Sequence, residues 1–280
     1  MKKSSVTVPQ VDRRLVGEAE NKSKALIGVG DNGRPFLDYV LFNARSAGYE
    51  DIVIVIGEND ASMRAHYGEA DRGNEFHGLK ISYAIQKIPP GRSKPLGTAD
   101  AVSVALRSRP DWKGKKFTVC NSDNLYSVDV LRTLLRSVHP SAMIDYDREA
   151  LQFGQSRIEQ FAVIQKDREG WLAKIVEKPL PHELLEATAP DGRVGVSMNI
   201  FRFAYDSIVP ILKLVPLHPR RNEKELPSAI MMMIENATEK RVMMTYSFAE
   251  FVPDLTNKDD IPLVQQYLQK HFPNFSLELR

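Results

Sequence analysis

Apolar residues in the first half of the chain form two kinds of pattern, continuous runs and stretches at helical spacing. After Pro35 the apolar positions follow helical spacing until Gly48, which predicts a helix that ends at this glycine. A continuous β-branched run at residues 52–56 predicts a strand buried in a sheet. The other elements predicted here are strands over residues 5–8, 80–86 and 117–120, and helices capped by Thr98 and Ser127.

The second half of the chain is richer in strand patterns. It predicts strands over residues 142–146, 161–165, 172–176, 196–203 and 242–248, and helices over residues 205–214, 226–236 and 261–271. Alternating strands and helices favour an α/β fold, a Rossmann-like, mostly parallel mixed sheet flanked by helices. We expect one domain over residues 1–280, with halves of about 1–140 and 141–280.

Composition and charge narrow the class of protein. Of the 280 residues, 42% are hydrophobic and 26% are charged, which is typical of a soluble globular protein. The net charge is only +2, so we expect neither nucleic-acid nor membrane partners. No apolar segment follows Lys2 and Lys3, so we expect no signal peptide and a cytoplasmic location. The single cysteine, Cys120, excludes an intramolecular disulfide.

Two glycine-containing segments are candidate phosphate or nucleotide contacts. Gly28, Gly30 and Gly33 follow Lys24, but this segment lacks the Gly-Lys-Ser/Thr ending of a P-loop, so turns are the simpler interpretation. A second segment, residues 95–102, places a glycine and a threonine at a helix start. Free N–H groups there suit a nucleobase edge or a phosphate, although a plain helix cap explains the pattern as well.

Two further polar clusters follow predicted strands. The strand at 117–120 leads into Asp123, which either begins a turn or supplies a hard oxygen ligand for Mg²⁺. The strand at 172–176 leads into Glu177 and Lys178, which form either an exposed turn or a phosphate contact. Ligands of open parallel sheets bind beyond the carboxyl ends of the strands, so we expect these clusters to meet at one edge.

Together the four clusters resemble the sugar-1-phosphate nucleotidylyltransferases. Residues 24–40 are similar to that family's Lys-Ala-Leu…Val-Gly…Pro-Leu-Leu-Asp-Tyr-Val segment, and residues 97–102 to its Gly-Thr-Ala segment, which contacts the base. Residues 121–123 look like its Gly-Asp metal site, and residues 176–179 like its sugar-phosphate lysine motif. Order and spacing agree from about residue 14 to residue 268.

The resemblance implies a role for each matching residue. Lys24 would hold the triphosphate or the departing pyrophosphate, and Asp123 would bind Mg²⁺. Asp254 would be either the second metal ligand, one residue out of register, or part of a surface turn. The remaining implied site residues are Arg14 in catalysis, Gly97, Thr98 and Asn121 for the nucleotide, and Ala162, Glu177, Lys178, Asn199, Arg221 and Glu223 for the sugar phosphate.

The resemblance also implies the reaction. A nucleoside triphosphate and a sugar 1-phosphate would give a nucleotide sugar and pyrophosphate by in-line attack, without a covalent intermediate, and Mg²⁺ would be the cofactor. The pattern fits several bases and sugars equally. A homo-oligomer is also open, since residues 231–233 predict either a subunit contact or a buried helix face.

One part of the chain departs from the family pattern. The family has Gly-x-Gly-Thr/Ser-Arg-Leu after its first strand, whereas residues 8–15 match only at Arg14 and Leu15. Pro9 removes an N–H donor, and Asp12 adds negative charge where phosphates are expected. Two interpretations follow, an enzyme that grips its triphosphate differently, or a catalytically weak relative that binds nucleotide sugar as a regulatory or partner subunit.

Overall fold

The computed structural model describes residue 15 and residues 23–239 and 241–277. The predicted strand over residues 5–8 lies outside the described residues. The elements of the first region are α1 (Phe36–Ala47), β1 (Asp51–Ile56), α2 (Ala61–Tyr67), β2 (Asn74–Phe76), β3 (Leu79–Ile85) and α3 (Thr98–Ser108). The first sheet has three strands in the order β1-β3-β2, and β1 runs parallel to β3.

The second sheet has seven strands. They are β4 (Lys116–Cys120), β5 (Ser141–Asp147), β6 (Val163–Lys166), β7 (Leu172–Val176), β8 (Gly195–Val196), β9 (Ile200–Ala204) and β10 (Met243–Phe248). Their order in the sheet is β4-β9-β5-β8-β6-β7, and β10 pairs with β5. The helices are α4 (Val128–Arg136), α5 (Gln155–Ile158), α6 (Pro181–Glu186), α7 (Tyr205–Leu214), α8 (Leu226–Asn236) and α9 (Ile261–His271).

The α/β class with helix-flanked sheets is confirmed, but the strand directions differ from the expected mostly parallel sheet. Among the described strands, β1 with β3 and β5 with β10 pair in parallel, and the other pairs are antiparallel. Short connections explain two of these antiparallel pairs. Residues 77–78 join β2 to β3 and residues 167–171 join β6 to β7, and connections this short permit only antiparallel pairing.

The strand predicted over residues 196–203 is divided into β8 and β9. The chain bends between them, where Asn199 adopts a left-handed conformation with φ 56°. Both pieces pair with β5, whereas β9 also pairs with β4 and β8 also pairs with β6. The bend therefore lies between the end of β4 and the beginning of β6.

Three apolar clusters form the core. One surrounds α1, β1 and β3, and the other two fill the space around the second sheet. Met233 is buried in the third cluster, and Met231 and Met232 pack against it, which supports the buried-face interpretation of this helix. None of the helices described by the structure combines the length and the apolar character needed to cross a membrane.

Candidate functional site

Lys24 and Asp123 lie side by side. Lys24 begins a 3₁₀ turn (Lys24–Leu26) whose Ala25 and Leu26 are buried, so the lysine side chain is left at the surface. Asp123 lies in the loop between β4 and α4. The Lys24 Nζ atom is 4.0 Å from Asp123 Oδ2, with the two side chains 51% and 25% exposed. The structure therefore brings together the residue predicted to hold the triphosphate and the residue predicted to bind Mg²⁺.

Asp254 is placed beside Asp123 by a short antiparallel contact. Leu125 N donates to Pro253 O (2.9 Å), and Leu255 N donates to Asp123 O (2.8 Å). Burial raises the pKa of Asp123, and the nearby Asp254 carboxylate raises it further, whereas Lys24 acts in the opposite direction. A buried carboxylate whose pKa is raised by a neighbouring carboxylate forms, together with that neighbour, a site that a cation would stabilise.

Arg157 on α5 contacts Asp254, one member of this carboxylate pair, and was not among the sequence candidates. Its Nη2 atom is 2.9 Å from Asp254 Oδ1, and its Nη1 atom forms an ion pair with Asp260. The contact with Asp254 lacks hydrogen-bond geometry, so the buried Oδ1 atom has no hydrogen-bond partner among the described residues. No sequence signal marks Arg157, because charged residues in a short helix are usually solvated.

The donor set fits a divalent cation. Within the described ranges there is no group of three or more His, Cys, Asp and Glu side chains arranged for a metal. Mg²⁺ needs fewer protein ligands, because it binds through one or two carboxylates and completes its shell with water and substrate phosphate oxygens. Asp123 and the unsatisfied Oδ1 atom of Asp254 offer such a pair.

The segment around Gly28 serves as a turn. A Cβ atom on Gly28 would lie 2.6 Å from Gly33 O, and Gly30 N donates to Arg34 O (3.0 Å). The simpler of the two interpretations of these glycines is thus supported. Arg14, the other candidate near this end of the chain, lies outside the described residues.

Gly97 and Thr98 pack against the segment before α8. Gly97 has φ 104°, and a Cβ atom there would lie 2.7 Å from Lys224 O. Ala99 N donates to that same carbonyl (2.9 Å), and Thr98 Oγ1 accepts a hydrogen bond from Leu226 N (2.9 Å). Thr98 therefore caps α8, and the prediction that it caps its own helix is wrong, since Gly97 is the residue before α3.

Gln86 is a second residue that the sequence reasoning missed. It follows β3, and its Nε2 atom donates to Gly97 O (3.0 Å) and to Asp100 Oδ2 (2.8 Å). Gln86 therefore holds the start of α3 against the end of β3. A polar residue at the carboxyl end of a strand was the available signal.

Asn121 and Asn199 lie on two loops that Tyr126 joins. The buried Tyr126 hydroxyl donates to Met198 O (2.7 Å) and accepts from Asn121 N (3.4 Å). Asn199 is exposed and follows Met198 in the bend between β8 and β9. Both candidates are thus on the same side of the second sheet as Asp123, close to the end of β4.

Ala162 and Glu177 lie at adjoining strand ends. Val163 is opposite both Val176 and Val196 in the sheet register, so the residues beside it are neighbours. Ala162 O accepts from Ser197 N (2.9 Å), which places Ala162 next to the bend that carries Asn199. Lys178 is exposed, has φ 51° and forms no ion pair within the part of the chain that the structure describes.

Arg221 and Glu223 connect the Gly97 region to Glu177. Arg221 forms ion pairs with Glu177 and Glu225, and Glu223 forms one with Lys94. The same segment supplies the Lys224 carbonyl that receives Ala99 N. The structure thus joins the candidate nucleotide contacts and the candidate sugar-phosphate contacts through residues 221–225.

Comparison with known proteins gives a family match and two relatives with named activities. The family model described as nucleotidyl transferase matches residues 13–249. A glucose-1-phosphate adenylyltransferase of Koribacter versatilis (strain Ellin345) is 24% identical over 203 residues, which cover 71% of this chain and 47% of that protein. One of Corynebacterium aurimucosum is 24% identical over 276 residues, which cover 95% of this chain and 65% of that protein. The chain therefore spans about half of the first relative and about two thirds of the second.

Solved structures share the fold. A UDP-glucose pyrophosphorylase complexed with UDP-glucose has a TM-score of 0.66 and 17% identity, covering 94% of this chain and 96% of that chain. HddC from Yersinia pseudotuberculosis complexed with GMP-PN has a TM-score of 0.57 and 14% identity, covering 88% of this chain and 89% of that chain.

Proposed function

Because this chain belongs to the nucleotidyl transferase family, we propose that it joins a nucleoside triphosphate to a sugar 1-phosphate and releases pyrophosphate. The observation that carries the proposal is the approach of Lys24 to Asp123, with Asp254 beside them. A lysine and two carboxylates at the end of a sheet strand can together bind a metal-complexed triphosphate. The named activities of the relatives are consistent with this reaction.

The proposed reaction assigns a task to each candidate residue. A phosphate oxygen of the sugar 1-phosphate forms a bond to the α-phosphorus, the bond from that phosphorus to the pyrophosphate oxygen breaks, and pyrophosphate leaves with the electron pair. Lys24 would neutralise the departing pyrophosphate, and Lys178 would hold the sugar phosphate. Mg²⁺, held by Asp123 and Asp254, would supply charge neutralisation at the phosphates when bound.

The other contacts would position the substrates. Gly97, Thr98 and Asn121 would bind the nucleotide, and Arg14 would contribute to the phosphate contacts. Ala162, Glu177, Asn199, Arg221 and Glu223 would line the sugar-phosphate side. We further propose that the chain forms a single domain and is cytoplasmic. We also propose a homo-oligomer, in which the exposed side chains of Leu185 and Leu214 would be buried at the subunit contact.

A second candidate function is the binding of a nucleotide sugar without catalysis. Two observations favour it, the ion pair of Asp254 with Arg157 and the loss of the glycines before Arg14. A chain of this kind would act as a regulatory or partner subunit. Its substrates would bind, but no pyrophosphate would be released.

A pyrophosphate-release assay separates the two candidates. The purified chain is incubated with Mg²⁺, each common nucleoside triphosphate and a panel of sugar 1-phosphates, and binding of the matching nucleotide sugars is measured by calorimetry. Pyrophosphate release with one substrate pair supports the transferase. Absence of release with intact nucleotide-sugar binding supports the binding subunit, and absence of both contradicts both candidates.

A further inference from the structure

Arg157 contacts three side chains, one of which, Asp254, belongs to the candidate metal site. Its guanidinium contacts Asp254 and Asp260, and it lies over the Phe153 ring at 4.4 Å from the centroid. The three charged side chains are largely buried, with 23% exposure for Arg157, 11% for Asp254 and 10% for Asp260. Such an arginine is a fixed positive charge beside the oxygen atoms that the proposed metal requires.

The contacts of Arg157 differ in how firmly they are made. Asp260 is fixed by the backbone, because its Oδ2 atom accepts a hydrogen bond from Asn257 N (2.6 Å), and its other oxygen bonds Arg157. The Asp254 contact lacks hydrogen-bond geometry. A small rotation of the guanidinium can therefore release Asp254 while Arg157 keeps Asp260 and the Phe153 ring.

We propose that Arg157 sets the metal affinity of this site, because its guanidinium and a divalent cation compete for Oδ1 of Asp254. This inference rests on the proposed function, since the competing ion is the metal assigned there. In the metal-free protein Arg157 neutralises part of the carboxylate charge. When the metal binds, Arg157 withdraws from Asp254 and stays on Asp260.

The charges around the site give the direction of the effect. Three carboxylates, those of Asp123, Asp254 and Asp260, face the two cations of Lys24 and Arg157. Over these five described side chains the charges sum to −1, and removal of Arg157 changes that sum to −2. A neutral side chain at this position removes both a competitor and a source of repulsion, so divalent cations bind more tightly.

Metal titration of the free protein tests the inference without an activity readout. Mn²⁺ serves as the probe, and its unbound fraction is followed by electron paramagnetic resonance in the wild type, Arg157→Met and Arg157→Lys. We expect Arg157→Met to lower the Kd for Mn²⁺ by at least about tenfold, and Arg157→Lys to stay closer to the wild type because the charge is kept. Thermal unfolding of each variant verifies that it is folded.

Arg64→Met is the matched control. Arg64 is 21% exposed, forms an ion pair with Asp71 and lies over the Tyr83 ring at 4.9 Å from the centroid, so it repeats the contacts of Arg157 away from the site. Its loss is expected to leave the Kd for Mn²⁺ unchanged. An equal decrease of the Kd in both Met variants overturns the inference.

Asp123→Asn separates this inference from the proposed function. If Asp123→Asn weakens Mn²⁺ binding and Arg157→Met leaves the Kd at the wild-type value, Arg157 has only a structural role and the metal site stands. If neither the wild type nor Arg157→Met binds Mn²⁺, the inference and the assigned metal site both fail. Binding by Arg157→Met alone supports the inference.

Discussion

The Lys24 ammonium approaches the Asp123 carboxylate to 4.0 Å, although four strands, three α-helices and several loops separate the two residues along the chain. The pair is partly exposed, so the direct attraction between the two charges stabilises the fold by no more than about 1 kcal/mol. A weak ion pair at the end of a sheet strand is more readily explained by the metal-complexed triphosphate that we propose both groups bind. The predictions below follow from this relationship and from the contacts around it.

Loss of the Asp123 charge is expected to abolish most of the activity. Asp123→Asn removes the carboxylate charge while keeping the side-chain shape, and loss of one such charged group typically lowers the rate at least about a hundredfold. Pyrophosphate release under substrate saturation measures the effect. Asp129→Asn is the control, because Asp129 is 80% exposed on α4. Equal rates in the two variants would contradict a role for Asp123.

The same substitution is expected to stabilise the fold at neutral pH. Burial and Asp254 raise the pKa of Asp123 above its value in the unfolded chain. Between these two pKa values the folded protein binds more protons than the unfolded chain, so the free energy of unfolding falls as pH rises through this window. Asp123→Asn cannot ionise at this position, so it removes this decrease in the free energy of unfolding.

Urea unfolding at two pH values measures this effect. At neutral pH we expect a higher free energy of unfolding for Asp123→Asn than for the wild type. The difference should shrink below about pH 3.9, where the carboxyl is protonated in the unfolded chain as well. A variant less stable than the wild type at neutral pH would contradict the burial of this charge.

Gly97→Ala is expected to damage both the fold and the nucleotide contact. The backbone there has φ 104°, and the new Cβ atom would lie 2.7 Å from Lys224 O. Gly114→Ala is the matched control, because Gly114 has φ 75° and an open surrounding. We expect Gly97→Ala to lower the free energy of unfolding by about 2 kcal/mol more than Gly114→Ala. Chemical denaturation measures the free energy of unfolding, and calorimetry with the triphosphate measures binding. Equal losses of stability and of binding in the two variants would contradict this prediction.

Lys178→Ala is expected to act on the sugar phosphate alone. A charged hydrogen bond contributes about 1.5–3 kcal/mol, so the KM for the sugar 1-phosphate should rise at least about tenfold while the KM for the triphosphate changes little. Lys174→Ala is the control, since Lys174 lies in the same region but is 51% exposed and paired with Glu183. A parallel rise in both KM values would argue against the assignment.

The sequence was most informative where a local pattern determines the structure. Gly48 ends α1 with φ 107°, and the helices at residues 205–214, 226–236 and 261–271 begin and end where the apolar spacing predicts. These features depend on backbone preference and on the periodicity of burial. The approach of Lys24 to Asp123 was accessible by a different route, because the resemblance to the sugar-1-phosphate nucleotidylyltransferases implies that one residue holds the triphosphate and the other its metal.

The missed features depend on contacts between distant segments. The sequence predicts that Thr98 caps its own helix. Its hydroxyl instead accepts a hydrogen bond from Leu226 N, which lies in a distant part of the chain. The pairing of Arg157 with Asp254 likewise requires α5 to face the C-terminal loop. The antiparallel pairing of β6 with β7 follows from the short turn between them, and the other antiparallel pairs of the second sheet join strands that are distant along the chain.

The most direct test of the proposed reaction follows the atoms. Sugar 1-phosphate labelled with oxygen-18 in its phosphate group is incubated with Mg²⁺, the accepted nucleoside triphosphate and the wild-type chain. The masses of the products are then determined by mass spectrometry. Attack at the α-phosphorus predicts a nucleotide sugar that retains all of the label and an equal amount of unlabelled pyrophosphate. Labelled pyrophosphate, or no nucleotide sugar with any substrate pair, would contradict the reaction.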